Sequence, residues 1–316
     1  MKPKNCLIFG ASGQIGRNLI RGLTKKNLKV TAVTRNLHQK GYVLKTQGNP
    51  GYLDIVETSI FNLEKIEELI KKADVCINLV GILFEKGPNN FNNIHEKFPN
   101  ILAEICKKYR TSKFIHLSAL GIENAVNSKY ASSKLKGEIA VREKFKDAII
   151  LKPSIVYSVD DKFTTNFMSL LSKLPIMPLY YNGSTKFSPI HVNDLVNIIY
   201  ELIERKNDNL VLECIGPEVF SFKEIIQMLL KSINKKRLLL PLPLPLAKLS
   251  AKILQILPNP LLTEDQLRLL KYDNCKTHIH KNNFDIGLVS LRKFKSEIDK
   301  YSYNWRSGGQ FSKNLN

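Results

Sequence analysis

Three residues that could take part in proton transfer follow one another in the middle of the chain: Ser118, Tyr130 and Lys134. Ser118 ends the strand-like run FIHLSALG, and Tyr130 and Lys134 have YxxxK spacing at the start of a predicted helix. A separation of four residues places the phenol and the ammonium on one helical face, where the cation stabilises a tyrosinate and binds ribose hydroxyls. The tyrosine could exchange a proton with a substrate hydroxyl or carbonyl that the serine holds. The set predicts acid-base chemistry beside a nucleotide.

A glycine-rich loop near the start of the chain is the predicted nucleotide site. Gly10, Gly13 and Gly16 in GASGQIG lie between a strand-like run and a helical pattern. The first glycine permits a tight turn, the second lets the backbone approach a pyrophosphate, and the third allows close packing of the helix, whose N-terminus faces the phosphates. The same loop supplies three further predicted cofactor-binding residues, Ser12, Gln14 and Ile15.

Arg35 helps to distinguish between NAD(H) and NADP(H) as the predicted cofactor. It follows the second predicted strand, 19 residues after Gly16 (35 − 16), where an Asp or Glu would bind the adenosine ribose of NAD. A guanidinium suits a 2′-phosphate instead, so NADP(H) is favoured over NAD(H). An ordinary exposed surface arginine is the competing interpretation.

Short apolar runs alternate with helical patterns over the first half of the chain. Helices are predicted at 15–26, 63–72, 94–109 and 132–145, each between strand-like runs. This alternation predicts parallel βαβ units, and hence an α/β fold with a doubly wound parallel sheet of the Rossmann type. We expect a Rossmann domain over 1–157, a smaller mixed C-terminal region over 158–305 that is partly interleaved with the sheet, and a fraying tail over 306–316.

The composition limits the partners. The formal net charge of +20 favours an acidic neighbour, which could be nucleic acid, an anionic membrane or an acidic protein face, although a drift of the composition toward lysine explains it equally well. No basic helix with interleaved aromatic residues is present, so nucleic acid is not an expected partner. The five cysteines are far apart, which argues against a metal site and a disulfide framework and favours a reducing compartment.

Neither a targeting peptide nor a membrane-spanning segment is expected. The first strand-like run begins by Asn5, which leaves no room for a signal or transit peptide, and no window of about 18 to 20 residues is apolar enough to span a membrane. We therefore expect a soluble or peripheral protein.

Together these residues resemble the extended short-chain dehydrogenase/reductase superfamily, in its atypical NAD(P)-binding, epimerase/dehydratase-like branch. Leu79, Val80 and Gly81 in NLVG are similar to the family's strand-end element near the adenine ribose. KPSIVY is similar to its nicotinamide-side segment, with Pro153, Ser154 and Ile155. One departure is visible, because Ser59 stands where relatives often carry an Asp that meets the adenine.

A closer resemblance is to the short-chain-dehydrogenase-like accessory subunits of respiratory complex I. The matching stretches include INLVGILFE, FNNIHEKFPNILAEICKKY and AIILKPSIVYSVDDKFTTNF, and together they cover most of residues 5–265. The resemblance implies a tightly bound, structural NADPH and docking beside complex I subunits near the quinone site, without hydride transfer. It further suggests a bacterial relative, cytoplasmic and peripheral on the cytoplasmic face of the inner membrane. The alternative is an active NADP(H)-dependent oxidoreductase or epimerase acting on a sugar nucleotide or a quinone-like substrate through Ser118, Tyr130 and Lys134.

The stretch KKRLLLPLPLPLAKLSAKILQIL, residues 235–257, is unusual for a nucleotide-binding protein. Its prolines predict an extended path that ends where a helix begins at Leu246. Leu249, Ile253, Leu254 and Leu257 would share one face of this helix, opposite Lys248, Lys252 and Gln255. The helix either packs on its own domain or docks on a partner or a bilayer surface, with Lys235, Lys236 and Arg237 near anionic headgroups.

His191 and Asp194 in SPIHVNDLVNII also have types suited to catalysis. A structural role is favoured for both. Asp194, or Asn193 before it, is predicted to cap the following helix, and His191 is predicted to be a packed neighbour.

Overall fold

The computed structural model describes residues 3–205, 209–255, 260 and 262–311. Within these ranges the main sheet has eight strands, and all of its paired neighbours are parallel. The strands are β1 Asn5–Phe9, β2 Lys29–Thr34, β3 Leu53–Glu57, β4 Val75–Asn78, β5 Lys113–Leu117, β6 Ile149–Pro153, β11 Leu210–Cys214 and β14 Lys281–Asn282. Their order is β14-β11-β6-β5-β4-β1-β2-β3. The prediction of an α/β fold with a doubly wound parallel sheet is confirmed.

Three two-stranded ribbons complete the strands of the described residues. They are β7 Val156–Tyr157 with β10 Ile190–His191, β9 Lys186–Phe187 with β12 Phe220–Ser221, and β8 Ile176–Leu179 with β13 Leu238–Pro241. The helices are α1 Gln14–Lys25, α2 Leu37–Lys45, α3 Leu63–Lys71, α4 Phe98–Lys108, α5 Lys129–Lys144, α6 Thr164–Lys173, α7 Val192–Glu204, α8 Phe222–Ser232, α9 Leu244–Leu254, α10 Glu264–Leu269 and α11 Phe294–Asp299. A π-helical turn, Asn92–Lys97, leads directly into α4.

Apolar side chains cover both faces of the sheet, because helices pack on each side of a parallel sheet. Leu19 of α1 and Ile199 of α7 belong to the core on one face, whereas Leu102 of α4 and Val141 of α5 belong to the core on the other. A third core joins α6, α8 and α11 beside the sheet. The main sheet takes β11 and β14 from the second half of the chain.

The strand order places the crevice of the fold. β1 lies between β2 and β4, so the connection that follows β1 and the one that follows β4 run toward opposite edges of the sheet. Ligands of open α/β sheets bind outside the carboxyl ends of the strands at such a reversal. The ends of β1, β4 and β5 therefore define the region where a nucleotide would bind.

Several predicted helix boundaries change in the structure. The helix predicted at 132–145 begins at Lys129, because the Ser128 side chain accepts a hydrogen bond from the Ala131 amide and caps it. Ser221 and Glu224 have capping-box spacing in the sequence, which predicts a helix start, and the structure confirms this capping box at the start of α8.

The predicted cap of α7 is wrong. The side chain of His191 accepts a hydrogen bond from the Asn193 amide at 3.2 Å, so the histidine itself is the capping residue. The Asp194 carboxylate instead accepts hydrogen bonds from the backbone and guanidinium of Arg292. A carboxylate this deeply buried requires an ionic partner, and the partner lies 98 residues away in sequence.

The leucine-proline run forms a strand followed by a helix. Leu238–Pro241 is β13, and α9 begins at Leu244, two residues before the predicted start, with Pro245 in its first turn. Among its described side chains, Ala247 and Ala251 make the buried contacts. Leu249 is exposed and Leu254 is half-buried, whereas the Ile253 side chain and Leu257 lie outside the described residues. Among the described residues, no helix has the length and apolar character needed to cross a membrane.

Candidate functional site

The glycine loop between β1 and α1 fits tightly against the end of β4. Gly10 has φ +79°, and a Cβ at this position would lie 3.0 Å from the Leu79 carbonyl carbon and 3.1 Å from the Val80 nitrogen. A Cβ on Gly16 would lie 2.5 Å from the Ala11 carbonyl oxygen, so only glycine permits this helix start. Gly13 is the N-cap of α1, and no side chain caps it. The helix N-terminus therefore presents backbone amides that suit phosphate oxygens.

The other residues of the loop bind within the protein. The Gln14 side-chain amide donates to the Val156 carbonyl at 3.2 Å and to the Ser158 hydroxyl at 2.8 Å. The Ser12 carbonyl accepts a hydrogen bond from Arg17, and Ile15 packs against the sheet core. Gln14 thus holds the loop against the strand end after β6, and its predicted direct contact with a cofactor stays a prediction.

Lys134 projects from α5 toward the ends of β4 and β5. Its ammonium donates to the Leu117 carbonyl at 3.0 Å and lies 3.3 Å from where a Cβ on Gly81 would be. Burial lowers the pKa of Lys134 to about 8, and the nearby Glu138 carboxylate opposes that shift. The lysine is therefore mostly protonated near neutral pH, as required for binding ribose hydroxyls.

Tyr130 lies one turn before Lys134 on α5 and is half-buried. Its ring stands edge-on to the ring of His95 at 5.3 Å and to that of Phe91 at 6.0 Å. Burial raises the pKa of Tyr130 to about 12. The phenol is consequently protonated near neutral pH, and burial alone does not prepare it to act as a base.

The hydroxyl of Ser118 points into a buried ion pair. It donates a hydrogen bond to the Glu138 carboxylate, and the Lys152 ammonium lies 2.9 Å and 3.1 Å from the two oxygens of that carboxylate. Lys152 is fully buried and also pairs with Glu123, which lies 3.4 Å from His280 nearer the surface. Ser118 therefore uses its single proton inside the protein.

A segment from late in the chain contacts the residues that are predicted to lie near the nicotinamide. Ser154 donates from its hydroxyl to the carbonyl of Asn274 at 2.9 Å and to its side-chain oxygen at 2.7 Å. The Asn274 side-chain amide donates to the Leu120 carbonyl at 2.7 Å, which ties the segment to the loop after β5. Pro153 pairs with Cys214 of β11, and the Ile155 carbonyl accepts from the Ile190 amide at 2.9 Å. The three predicted residues thus lie at one strand end, and their contact with a nicotinamide stays a prediction.

Arg35 and Ser59, which are predicted to lie near the adenosine, follow β2 and β3 in the structure. Arg35 is exposed just after β2 and donates from Nη1 to the Asn89 side chain at 3.1 Å. Within the described part of the chain it forms no ion pair. Ser59 is exposed after β3 and accepts a hydrogen bond from the Phe61 amide at 3.2 Å, which organises the turn before α3.

His95 is a site residue that the sequence did not reveal. It lies in the π-helical turn, and its Nε2 accepts a hydrogen bond from the Ile82 amide at 3.1 Å. Its Nδ1 is 2.9 Å from the Ser133 hydroxyl, which itself donates to the Tyr130 carbonyl at 2.8 Å. Burial and the nearby Lys134 charge lower the pKa of His95 to about 2, so the ring stays neutral. The histidine joins the end of β4 to the start of α5.

The sequence contains a recognisable signal for two of the residues that sequence reasoning did not assign to the site. Glu138 follows Lys134 by four residues and Tyr130 by eight, so the three share one face of α5. Lys152 is a single charge within the apolar run AIILKPSIVY, which indicates a buried partner. Asn274 lies 120 residues from Ser154, and no local pattern indicates their contact.

The comparisons with known proteins define the class. The NAD dependent epimerase/dehydratase family model matches residues 6–213, so the chain belongs to this family and has an NAD(P)-binding fold. Among solved structures, dTDP-glucose 4,6-dehydratase DesIV from Streptomyces venezuelae, with NAD and TYD bound, superposes with a TM-score of 0.72. That match covers 95% of this chain and 96% of the other at 15% identity, and it shows the fold alone.

Two curated relatives narrow the comparison within the family. The chain is 26% identical over 314 residues to NADH dehydrogenase [ubiquinone] 1 alpha subcomplex subunit 9, mitochondrial, of Arabidopsis thaliana, covering 96% of this chain and 78% of the relative. It is 26% identical over 189 residues to ceramide reductase of Caulobacter vibrioides, covering 59% of this chain and 57% of the relative. The predicted resemblance to the complex I accessory subunits is thereby confirmed.

Proposed function

We propose that the chain is an NADP(H)-binding accessory or assembly subunit of respiratory complex I in which the nucleotide is mainly structural. The similarity to a complex I subunit along nearly the whole chain supports the choice of complex. In this account the protein is peripheral on the cytoplasmic face of the inner membrane and docks beside complex I subunits near the quinone site.

The observation that carries the non-catalytic role is the hydrogen bond from Ser118 to Glu138. A serine that assists Tyr130 must donate its proton to the substrate oxygen. Here the acceptor is a buried carboxylate paired with Lys152, and a charged acceptor holds a proton donor more strongly than a neutral carbonyl does. Ser118 thus stabilises the core beneath the site.

Contacts between the C-terminal region and the start of α5 support the same non-catalytic role. Asp265 of α10 accepts hydrogen bonds from the backbone amides of Lys129 and Tyr130, at 2.8 Å and 2.9 Å. Leu269 and Tyr272, on the same segment, pack with Tyr130 in one apolar cluster. Together with the contacts of Asn274, these bonds bind the C-terminal region to the start of α5 and to the strand ends.

The residues at the crevice are suited to a dinucleotide. The glycine loop would hold the pyrophosphate on backbone amides, Lys134 would bind the nicotinamide ribose, and Arg35 would bind a 2′-phosphate. When bound, the cofactor could in principle supply a hydride, but the role proposed here needs only its binding free energy. A ligand present at a thousand times its dissociation constant stabilises the folded state by about 4 kcal/mol.

Preference for NADP(H) is tested by isothermal titration with both reduced dinucleotides. We expect the wild-type protein to bind NADPH more tightly than NADH, and Arg35→Ala to lose most of that difference, because a charge-assisted contact to a phosphate disappears. Arg21→Ala, at the side of α1 where Arg21 contacts Gln47, is the matched control. Equal affinity of the wild type for both nucleotides would refute the assignment.

The accessory role is tested by affinity capture from detergent-solubilised membranes. We expect the tagged chain to recover complex I subunits and to carry NADPH that it does not oxidise. Recovery of no complex I subunits from membranes that contain the complex would refute the role.

The second candidate is an active NADP(H)-dependent oxidoreductase or epimerase. It is favoured by the intact set of Tyr130, Lys134 and Ser118 and by similarity to a protein named as a reductase. In that case Tyr130 exchanges the proton with a sugar nucleotide or a quinone-like substrate. Turnover of NADPH by the isolated protein, lost in Tyr130→Phe, would support this candidate over the first.

A further inference from the structure

An apolar surface formed by two separate segments remains uncovered within the described structure. It consists of Leu174 after α6, the outer side of the β8–β13 ribbon and the exposed leucines of α9, and we call it the leucine surface. Each of its seven side chains is between 42% and 56% exposed: Leu174, Ile176, Leu238, Leu240, Leu244, Leu246 and Leu249. Single exposed apolar side chains are ordinary on proteins, whereas seven on two segments that pair through β8 and β13 indicate an interaction site.

The ribbon explains why Ile176, Leu238 and Leu240 face outward. Leu238 pairs with Ile176 in the parallel register, and side chains alternate between the two faces of a strand. On the inner face, Met177 and Leu179 are buried in the core with α8. The inner face therefore completes the domain, and the outer face keeps apolar residues that folding does not require.

The helix shows the same division. Ala247 and Ala251 are buried against Leu267 of α10 and against the tyrosines that follow β8. Small residues let the helix approach this neighbour closely, so the core uses its alanines. Leu246 and Leu249, more than half exposed, take no part in that packing.

The two segments that form the leucine surface carry charges of one sign. Segments 173–179 and 235–255 contain no Asp or Glu, and their six basic residues are Lys173, Lys235, Lys236, Arg237, Lys248 and Lys252. The Arg237 guanidinium donates to the carbonyls of Leu171 and Ser172 at 2.8 Å and 3.1 Å, which holds the start of β13 on α6. Lys248 and Lys252 are exposed on α9, and the nearest carboxylate to Lys252 is that of Glu264 at 4.0 Å.

We propose that the leucine surface docks onto an anionic lipid bilayer. The leucines would enter the boundary between headgroups and acyl chains, while the basic residues contact lipid phosphates. An exposed apolar surface with basic residues in the same segments matches a bilayer surface, which offers an apolar interior and negative charge together. The inference deepens the proposed function, because it rests on the attachment of the subunit to the membrane and names the partner of that attachment.

The test is co-sedimentation of the purified full chain, with NADPH present, with two kinds of vesicle. One kind is phosphatidylcholine alone, and the other contains phosphatidylglycerol in addition. We expect binding to the anionic vesicles, weaker binding to the neutral ones, and reduced binding as salt rises. Leu246→Asp with Leu249→Asp should lower the partition coefficient at least about tenfold.

A control variant and a folding check accompany this test, and a charge-reversal variant tests the role of the basic residues. Leu291→Asp changes a leucine that is 77% exposed outside the leucine surface, and it should bind as the wild type does. NADPH should raise the melting temperature of every variant equally, which excludes misfolding. Lys235→Glu with Lys236→Glu should remove the preference for anionic vesicles.

The inference is overturned if the wild type ignores anionic vesicles, or if the double aspartate variant binds them as tightly as the wild type does. It is also overturned if that variant keeps vesicle binding but no longer recovers complex I, since the surface would then bind protein. Vesicle binding that depends on the leucine surface, with no complex I recovered by any variant, would instead reject the proposed function and leave the inference intact.

Discussion

The nucleotide crevice and the leucine surface place charged and apolar residues in opposite ways. At the crevice, charges are buried and paired, as in Lys152 with Glu138, and the backbone is packed too closely for a side chain at Gly10 or Gly16. On the leucine surface, apolar side chains are exposed and the basic residues border them. Buried charges and exposed leucines are both unfavourable in an isolated domain.

The difference shows which interactions each region needs. The ion pair beneath the crevice satisfies its own charges within the chain, so that region is complete once a nucleotide is bound. In the described structure, no other part of the chain covers the exposed side chains of the leucine surface. This contrast favours a protein that binds a nucleotide in its crevice and binds a partner through the leucine surface. The following variants test the interactions of the two regions.

The largest effect is expected from the buried ion pair. Glu138→Gln leaves the fully buried Lys152 with only Glu123 as a charged partner, and we expect a loss of about 3 to 5 kcal/mol in the free energy of unfolding. Urea denaturation measures it. Glu68→Gln, which breaks an exposed pair with Lys65 and Lys72, is the control and should leave the midpoint unchanged. Equal midpoints for the two variants would remove the contrast between paired interior and exposed surface.

Two glycine variants separate folding from nucleotide binding. Gly16→Ala places a methyl group 2.5 Å from the Ala11 carbonyl oxygen, and we expect a loss of about 2 to 3 kcal/mol without any nucleotide. Gly13→Ala meets only the Gly10 carbonyl, at 3.3 Å, and should fold almost as stably as the wild type. It should nevertheless lose the rise in melting temperature caused by NADPH, as measured by calorimetry. An unchanged rise would show that the phosphates bind elsewhere.

Lys134 makes the stability depend on pH. Burial lowers its pKa to about 8 in the folded chain, against 10.5 in the unfolded chain. Between these values the unfolded state binds more protons, so stability from this group rises as pH rises. From about pH 7 to about pH 9.5, wild type should gain roughly 2 kcal/mol relative to Lys134→Met. Denaturation of both proteins at both pH values measures the gain, and parallel curves would contradict the buried, charged lysine.

The smallest effect is expected at the connection between the two regions. Asp265 of α10 caps α5 at Lys129 and Tyr130, and α10 also packs against α9 of the leucine surface. Asp265→Asn should cost about 1 kcal/mol, because a negative charge at a helix N-terminus is lost. Asp54→Asn, at an exposed position on β3, is the control in the same denaturation experiment. If the two variants are equally stable, α10 does not fasten the regions together.

Much of the fold was predictable because its signals are local. Apolar runs gave the strands, and the loop of Gly10, Gly13 and Gly16 between β1 and α1 is a local pattern with one physical explanation. Ser221 and Glu224 gave a helix start because a capping box uses residues three apart. The cap of α7 was missed because the preferred residue type, Asp194, is recruited by Arg292 from far along the chain.

The site was predictable only in part for the same reason. The spacing of Tyr130 and Lys134 placed them on one turn of α5 near the end of β5, as the structure has them. The cover by Asn274 and the neutral His95 depend on contacts that join distant segments. On α9, the hydrophobic pattern left open whether the leucine face packs on the domain or docks elsewhere, and it did not indicate that Ala247 and Ala251 make the close contacts.

Affinity capture with a matched activity assay tests the central claim most directly. The tagged wild type and Tyr130→Phe are each purified from detergent-solubilised membranes, and bound subunits and NADPH oxidation are measured in the same preparations. We predict that both proteins recover complex I subunits, carry NADPH and show no oxidation of it. A wild type that recovers no complex I subunits but oxidises NADPH, with that activity lost in Tyr130→Phe, would contradict the account and identify an enzyme.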